Sequence, residues 1–221
     1  MIRPIAISLS ACLVAAAAAH AQDPVKTDPT VYHVAVDNAT VRVLHVAAPP
    51  GGKTKMHQHP DNITVLLTDG TIVFTGPDGK SQTLETKAGQ AQWSGPQTHS
   101  GANTGKTTLE AVVVELKGSA APKAVLPASR PNLTRTALVE NPRADAFRFT
   151  AEPTFKEAPG TTHDYDQVLI ATGPTGISVE VGGKTTSTWK RGDVLFIGRG
   201  QPHQAQNTSG KPQDMIVVVI K

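Results

Sequence analysis

The sequence predicts an all-β protein assembled from two copies of one unit, and three observations carry that reading. Apolar, β-branched runs are short and bounded by turn residues, as in Ile63–Leu67 before Asp69-Gly70 and Ile177–Val181 before Gly182-Gly183. Helical periodicity is confined to the N-terminal stretch. Shifted by 104 residues, the chain overlays itself: His59 falls on His163, His99 on His203 and Asn103 on Asn207. The segment 110–117 falls on 214–221, acid on acid, lysine on lysine, and apolar on apolar except at Glu115. A constant offset over separated features marks a duplicated unit. Many short strands with glycine-rich turns then argue for a sandwich or a barrel.

The chain opens with residues 1–21, which carry one basic residue, Arg3, an apolar stretch from Ile5 to Ala19 and the small-residue site Ala19-His20-Ala21. This is the build of a secretory leader cut after Ala21, too short to span a membrane. The rival reading, a lipoprotein box ending at Cys12, leaves an apolar core of about six residues where seven or more are usual. The expected location is therefore secreted or periplasmic. Cys12 is the only cysteine, so the processed chain offers no disulfide, thiolate ligand or cysteine nucleophile. Without Arg3 the balance is 20 basic against 18 acidic residues with no basic cluster, which argues against a nucleic-acid partner. No later stretch approaches the ~18 apolar residues of a span, so no membrane partner is expected after processing.

The first unit, 30–117, is expected to hold strands at Val41–Val46, Ile63–Leu67, Thr71–Thr75 and Leu109–Leu116. Residues 118–136, with Pro122, Pro127 and Pro131 and no periodicity, read as an extended linker. The second unit, 137–221, repeats the pattern at Val168–Ala171, Ile177–Val181, Val194–Ile197 and Met215–Ile220.

Chemistry concentrates in Gly51–Gly70. His57 and His59 flank a single glutamine just ahead of an apolar run, and in an extended strand residues two apart share one face. Both imidazoles therefore aim at one point, and imidazole is the commonest metal-binding side chain. His99, in the stretch 89–103, is the best candidate for a third ligand. Met56 and Trp93 are candidate pocket walls that fit simple core packing equally well. Gln97 and Asn103 are candidate hydrogen-bond partners near His99, although Asn103 also suits a turn cap.

The spacing Gly51, five residues, His57, one, His59, then Gly70, together with His99, three residues and Asn103, resembles the two motifs of the cupin superfamily. The resemblance covers nearly all of the first motif and the end of the second. It departs at the glutamate, whose place falls on Ile63 or Thr64. It implies two tandem jelly-roll (double-stranded β-helix) barrels, a bicupin, with a divalent transition metal on His57, His59 and His99. Germin-like oxalate enzymes of that superfamily add the glutamate and often use manganese. The neutral three-histidine set instead resembles the thiol and diketone dioxygenases, which favours Fe2+, with Mn2+, Zn2+, Cu2+ and Ni2+ compatible. Asp61 or Asn62 could add an oxygen ligand, though both fall short of the motif position.

In the second unit Thr161 stands where His57 maps, leaving His163 and His203 with Gln167 at the glutamate position and Asp164 or Asp166 as possible carboxylates. Either a degenerate barrel or a second site on His163, Gln167 and His203 follows. The functions implied are a metal-dependent dioxygenase on a small chelating substrate, a metal or small-ligand binding or sensing protein, or a metal-dependent isomerase or decarboxylase. A monomer and a homodimer are both compatible with two barrels in one chain.

Overall fold

The computed structural model describes residues 22–118, 125 and 128–221. The expected leader lies outside these residues, as does part of the expected linker.

After a short helix, α1 (Pro24–Thr27), the first unit runs β1 (Tyr32–Asp37), β2 (Val41–Ala48), β3 (His57–His59), β4 (Asn62–Leu66), β5 (Gly70–Thr75), β6 (Ser81–Thr86), β7 (Ala91–Ser94), β8 (Gln97–Asn103) and β9 (Leu109–Leu116). The second runs β10 (Leu133–Val139), β11 (Ala144–Ala151), β12 (Asp166–Ile170), β13 (Ile177–Val181), β14 (Lys184–Thr186), β15 (Val194–Ile197), β16 (His203–Asn207) and β17 (Gln213–Ile220). Each unit has a five-stranded sheet of the same order, β1-β2-β9-β4-β7 and β10-β11-β17-β12-β15. Each is closed by a smaller sheet, β3-β8-β5-β6 in the first and β14-β13-β16 in the second. The counterpart of β3 has shrunk to a single bridge, Thr161 to His203.

The strands expected from β-branched runs are all present. Several that the apolar runs do not predict are polar, such as β6 (SQTLET), β8 (QTHSGAN) and β16 (HQAQN). They face solvent or the barrel mouth and so carry no apolar run to betray them. β10 begins inside the stretch read as linker, because Leu133 is buried and pairs with Ala151 of β11.

The two five-stranded sheets pack against each other. Val41, Val43, Ile63, Val65, Val112, Val114 and Leu116 of the first unit share one buried cluster with Ala144, Ala146, Val168, Ile170, Ile216, Val218 and Ile220 of the second. Alternation then places the intervening residues inside each barrel. On β9, Val112 and Val114 face the shared core while Val113 faces the first barrel's interior, and on β17 Val218 faces the shared core while Val219 faces the second's. Strands apolar on both faces read as unbroken hydrophobic runs, which is why AVVV and MIVVVI stand out in the sequence.

The contact is repeated in both directions. A Cβ on Gly89 would lie 2.6 Å from Arg148 of the second unit, and one on Gly192 would lie 2.7 Å from His45 of the first. Both glycines also have φ above +80°, a conformation that other residues rarely adopt. Asn103 and Asn207 form a second matched pair. Each donates through Nδ2 to two carbonyls, Ala48 and Thr107 for the first, Ala151 and Lys211 for the second, at 2.7–2.9 Å. Asn103 is therefore a turn cap rather than a partner of His99.

Candidate metal centre

His57 and His59 sit on β3, and cross-strand register sets His57 directly opposite His99 of β8. One strand thus supplies two imidazoles on one face and its neighbour supplies the third. The rings lie 4.8–5.4 Å apart between centroids, and the ligand nitrogens all fall within 4.8 Å of one another. All three side chains are buried, His57 completely.

Hydrogen bonds fix which nitrogen faces inward. His57 Nδ1 is 2.7 Å from the Lys55 carbonyl, which can only accept, so Nδ1 carries the proton and Nε2 is bare. Tyr32 donates its hydroxyl to that Nε2 at 3.0 Å. His59 Nδ1 donates to Glu115 Oε1 at 2.7 Å, and Glu115 Oε2 accepts from Arg42 Nε at 2.5 Å. Arg42 also pairs with Asp23. Burial pushes the Glu115 carboxyl up, but the bonds from His59 and Arg42 outweigh it and hold its pKa below the ordinary carboxylate range. Glu115 is 1 % exposed and acts as an ionised acceptor that orients His59.

Burial, reinforced by the neighbouring imidazoles, pushes His99 down to about 3. His57 is lowered by the same causes despite its bond to Lys55, and burial raises Tyr32, so its phenol stays protonated. Neutral imidazoles with inward, unprotonated nitrogens are the form that binds metal. Metal–nitrogen bonds are about 2.0–2.1 Å, so small side-chain adjustments bring all three nitrogens onto one ion. The donor set fits a divalent transition metal.

Beside the histidines lies a cavity of about 250 Å³, walled by Tyr32, Ile72, Phe74 and Leu84 and by the polar side chains Asn62, Thr64, Gln82, Gln92, Ser94 and Gln97. Among the described residues, no lysine or arginine lines it. Trp93 does not reach it and packs instead on the shared core between the units. Asp61 pairs with Arg143 of the second unit, and Asn62 donates to the Pro60 carbonyl at 2.9 Å.

No family model matches the sequence, and no curated protein matches it. Solved structures do. AerE from Microcystis aeruginosa aligns with a TM-score of 0.64 at 13% identity, over 86% of this chain and 97% of its own. A cupin 2 conserved barrel domain protein from Leptotrichia buccalis gives 0.56 at 10% identity, over 86% and 88%. A salicylate 1,2-dioxygenase from Pseudaminobacter salicylatoxidans gives 0.61 at 10% identity, over 82% and 71%. The chain has a bicupin fold.

The two halves of this fold are unequal. The second barrel encloses only about 80 Å³, filled in by Phe149, Phe155, Met215 and Leu169. Its His163 and His203 remain neighbours, 5.0 Å between ring centroids, and Gln167 Nε2 lies 3.4 Å from His203 Nε2. The strand register differs from the sequence repeat here. Val168 pairs with Val218 as Ile63 pairs with Val114, so one extra residue follows His163 and Gln167 corresponds to Asn62, not to Ile63. Asp164 accepts from the Val125 amide and Asp166 from the Arg199 amide, so neither serves the pair. The carboxylate that reaches it is Glu157.

For the protein without metal, the sign of its acid response follows from His99. The unfolded chain protonates near the ordinary 6.5 and the folded one only near about 3, so the unfolded state binds more protons in between. Stability is complete above about 6.5 and falls as pH drops through that window, by at most about 1.4 kcal/mol per pH unit for one proton. Glu115 adds loss of the same sign at lower pH. Denaturant midpoints in chelator at pH 7 and pH 5 check this, and equal midpoints contradict it.

Proposed function

We propose that this protein is an exported, metal-dependent dioxygenase of the non-haem type, acting on a small chelating substrate in its first barrel. The observation that carries the reading is a buried three-histidine set of which His59 and His99 line a cavity of about 250 Å³. The leader sequence supports export. The shared fold with a salicylate 1,2-dioxygenase is compatible with this chemistry.

His57, His59 and His99 would hold the metal, and Fe2+ suits a nitrogen set open to substrate. When bound, the ion supplies Lewis acidity to a chelating substrate and a redox partner for O2. Both oxygen atoms of O2 enter the product and the substrate provides the electrons, so no external reductant is required. A shell without a carboxylate leaves the ion's charge uncompensated and favours a substrate that brings its own anionic donor, such as an enolate, thiolate or phenolate. The chain's side chains bind and orient that substrate. Asn62, Thr64, Gln82, Gln92 and Gln97 offer hydrogen bonds along the cavity, while Ile72, Phe74 and Leu84 exclude water. Tyr32, its hydroxyl 3.0 Å from His57 Nε2, holds a proton at the edge of the site.

Oxygen uptake by the iron-loaded protein with a panel of β-diketones, thiols and hydroxylated aromatic acids tests the proposal. Uptake with at least one class is expected, falling at least 100-fold in His57→Ala. Tight metal binding without uptake on any class means a storage or sensing protein and overturns it. Conversion of substrate under nitrogen points to isomerisation or decarboxylation and overturns it as well.

A further inference from the structure

The second barrel holds a cluster that the sequence repeat does not anticipate. Glu157, His163 and His203 each offer a ligand atom, all within 4.8 Å of one another. His163 and His203 match His59 and His99, but Glu157 matches no ligand of the first barrel. Its amide donates to the Ala205 carbonyl at 2.9 Å, as the Thr54 amide does to Gly101 at 2.8 Å, so it occupies the place of Thr54. A carboxylate from a different position replaces the imidazole lost at Thr161.

The three groups are held in place. The Ala205 amide donates to Glu157 Oε2 at 2.9 Å, and Arg130 Nη2 stands 3.6 Å from Oε1. His203 Nδ1 is 3.0 Å from the Gln201 carbonyl, so Nδ1 carries the proton and Nε2 is bare, 3.7 Å from Glu157 Oε2. The His163 ring is stacked on Tyr165 at 4.8 Å and 6°. Two imidazoles and one carboxylate form a donor set for divalent transition ions, the carboxylate offsetting part of the charge. The cavity lined by Glu157 and His203, about 80 Å³, admits the two or three waters that would complete a coordination sphere, at ~30 Å³ each. An outer groove of about 440 Å³ that reaches His203 provides the entry path.

We propose that Glu157, His163 and His203 bind a divalent transition cation as a structural ion, distinct in donor set and purpose from the centre in the first barrel. It ties the segment before Thr161 to β16, where the strand equivalent to β3 is missing.

The test is an ion count. Full-length processed protein stripped with chelator is titrated with Zn2+ alone and examined by native mass spectrometry. Two ions per chain are expected for the wild type, one each for Glu157→Gln, His163→Ala and His99→Ala, and none for His99→Ala with His163→Ala. An ion count that does not fall from the wild type to Glu157→Gln or to His163→Ala overturns the proposal. If Glu157→Gln does not fold, the half-buried His163 decides alone. Turnover enters neither arm, so a protein that binds two ions and consumes no oxygen refutes the dioxygenase reading and leaves this site standing.

Discussion

Glu115→Val is expected to weaken metal binding at the first barrel by roughly 10–100-fold, the usual consequence of losing the acceptor behind a ligating imidazole. Glu115 touches no substrate; it acts through His59, whose Nδ1 proton it accepts at 2.7 Å. Without it, that buried donor has no partner and the ring is free to turn. Stability also suffers, because Arg42 keeps only Asp23 and an unsatisfied buried donor costs about 1–3 kcal/mol. The double variant Arg42→Leu with Glu115→Val separates the two effects. An apolar residue is tolerated at the matching place in the second barrel, where Val219 is fully buried. The double variant should therefore recover the part of the stability lost at Arg42, leave the part lost at His59, and recover none of the affinity. Competition titration against a chromophoric chelator reads the affinity, and denaturation of the metal-free protein reads the stability. Unchanged affinity in Glu115→Val would remove this carboxylate from the site.

The same residue shows where sequence reading reached and where it stopped. Glu115 was visible as the one acid among apolar matches of the repeat, but a mismatch does not say which face a residue takes. Its direction follows only once Val114 and Leu116 are known to face the other barrel. The histidine pair on β3 was legible because spacing of two on a strand is a local property. The pairing of His57 with His99 depends on a register 42 positions away, which the motif resemblance supplied and periodicity did not. Tyr32 carries no motif. It reaches His57 because β1 pairs with β2 at the edge of the large sheet, a purely tertiary result. Gln167 does lie beside His203 inside the second barrel, but its counterpart in the first is Asn62 rather than Ile63, and since side chains alternate along a strand, that difference of one residue separates inside from outside.

Ile63→Ala is expected to cost about 2–5 kcal/mol, the range for emptying a fully buried aliphatic site, and to lower the stability of both barrels together. Ile63 is 0 % exposed, pairs with Val114 and Trp93 on its neighbours, and belongs to the cluster that holds Val168 and Val218. A cavity there removes contacts from residues of both units, so neither sheet keeps its packing when the other loosens. The chain's two tryptophans, Trp93 and Trp189, allow the coupling to be read. Trp189 is 3 % exposed inside the second barrel and donates to the Ile177 carbonyl at 2.7 Å. In a Trp93→Phe, His163→Ala background its fluorescence reports the second barrel alone, while release of the metal bound at His57, His59 and His99 reports the first. Ile63→Ala, a first-barrel substitution, should move both transitions to lower denaturant by the same amount. If the Trp189 transition stays in place while metal release moves, the barrels unfold independently, and the shared core is a contact surface between two separately stable domains.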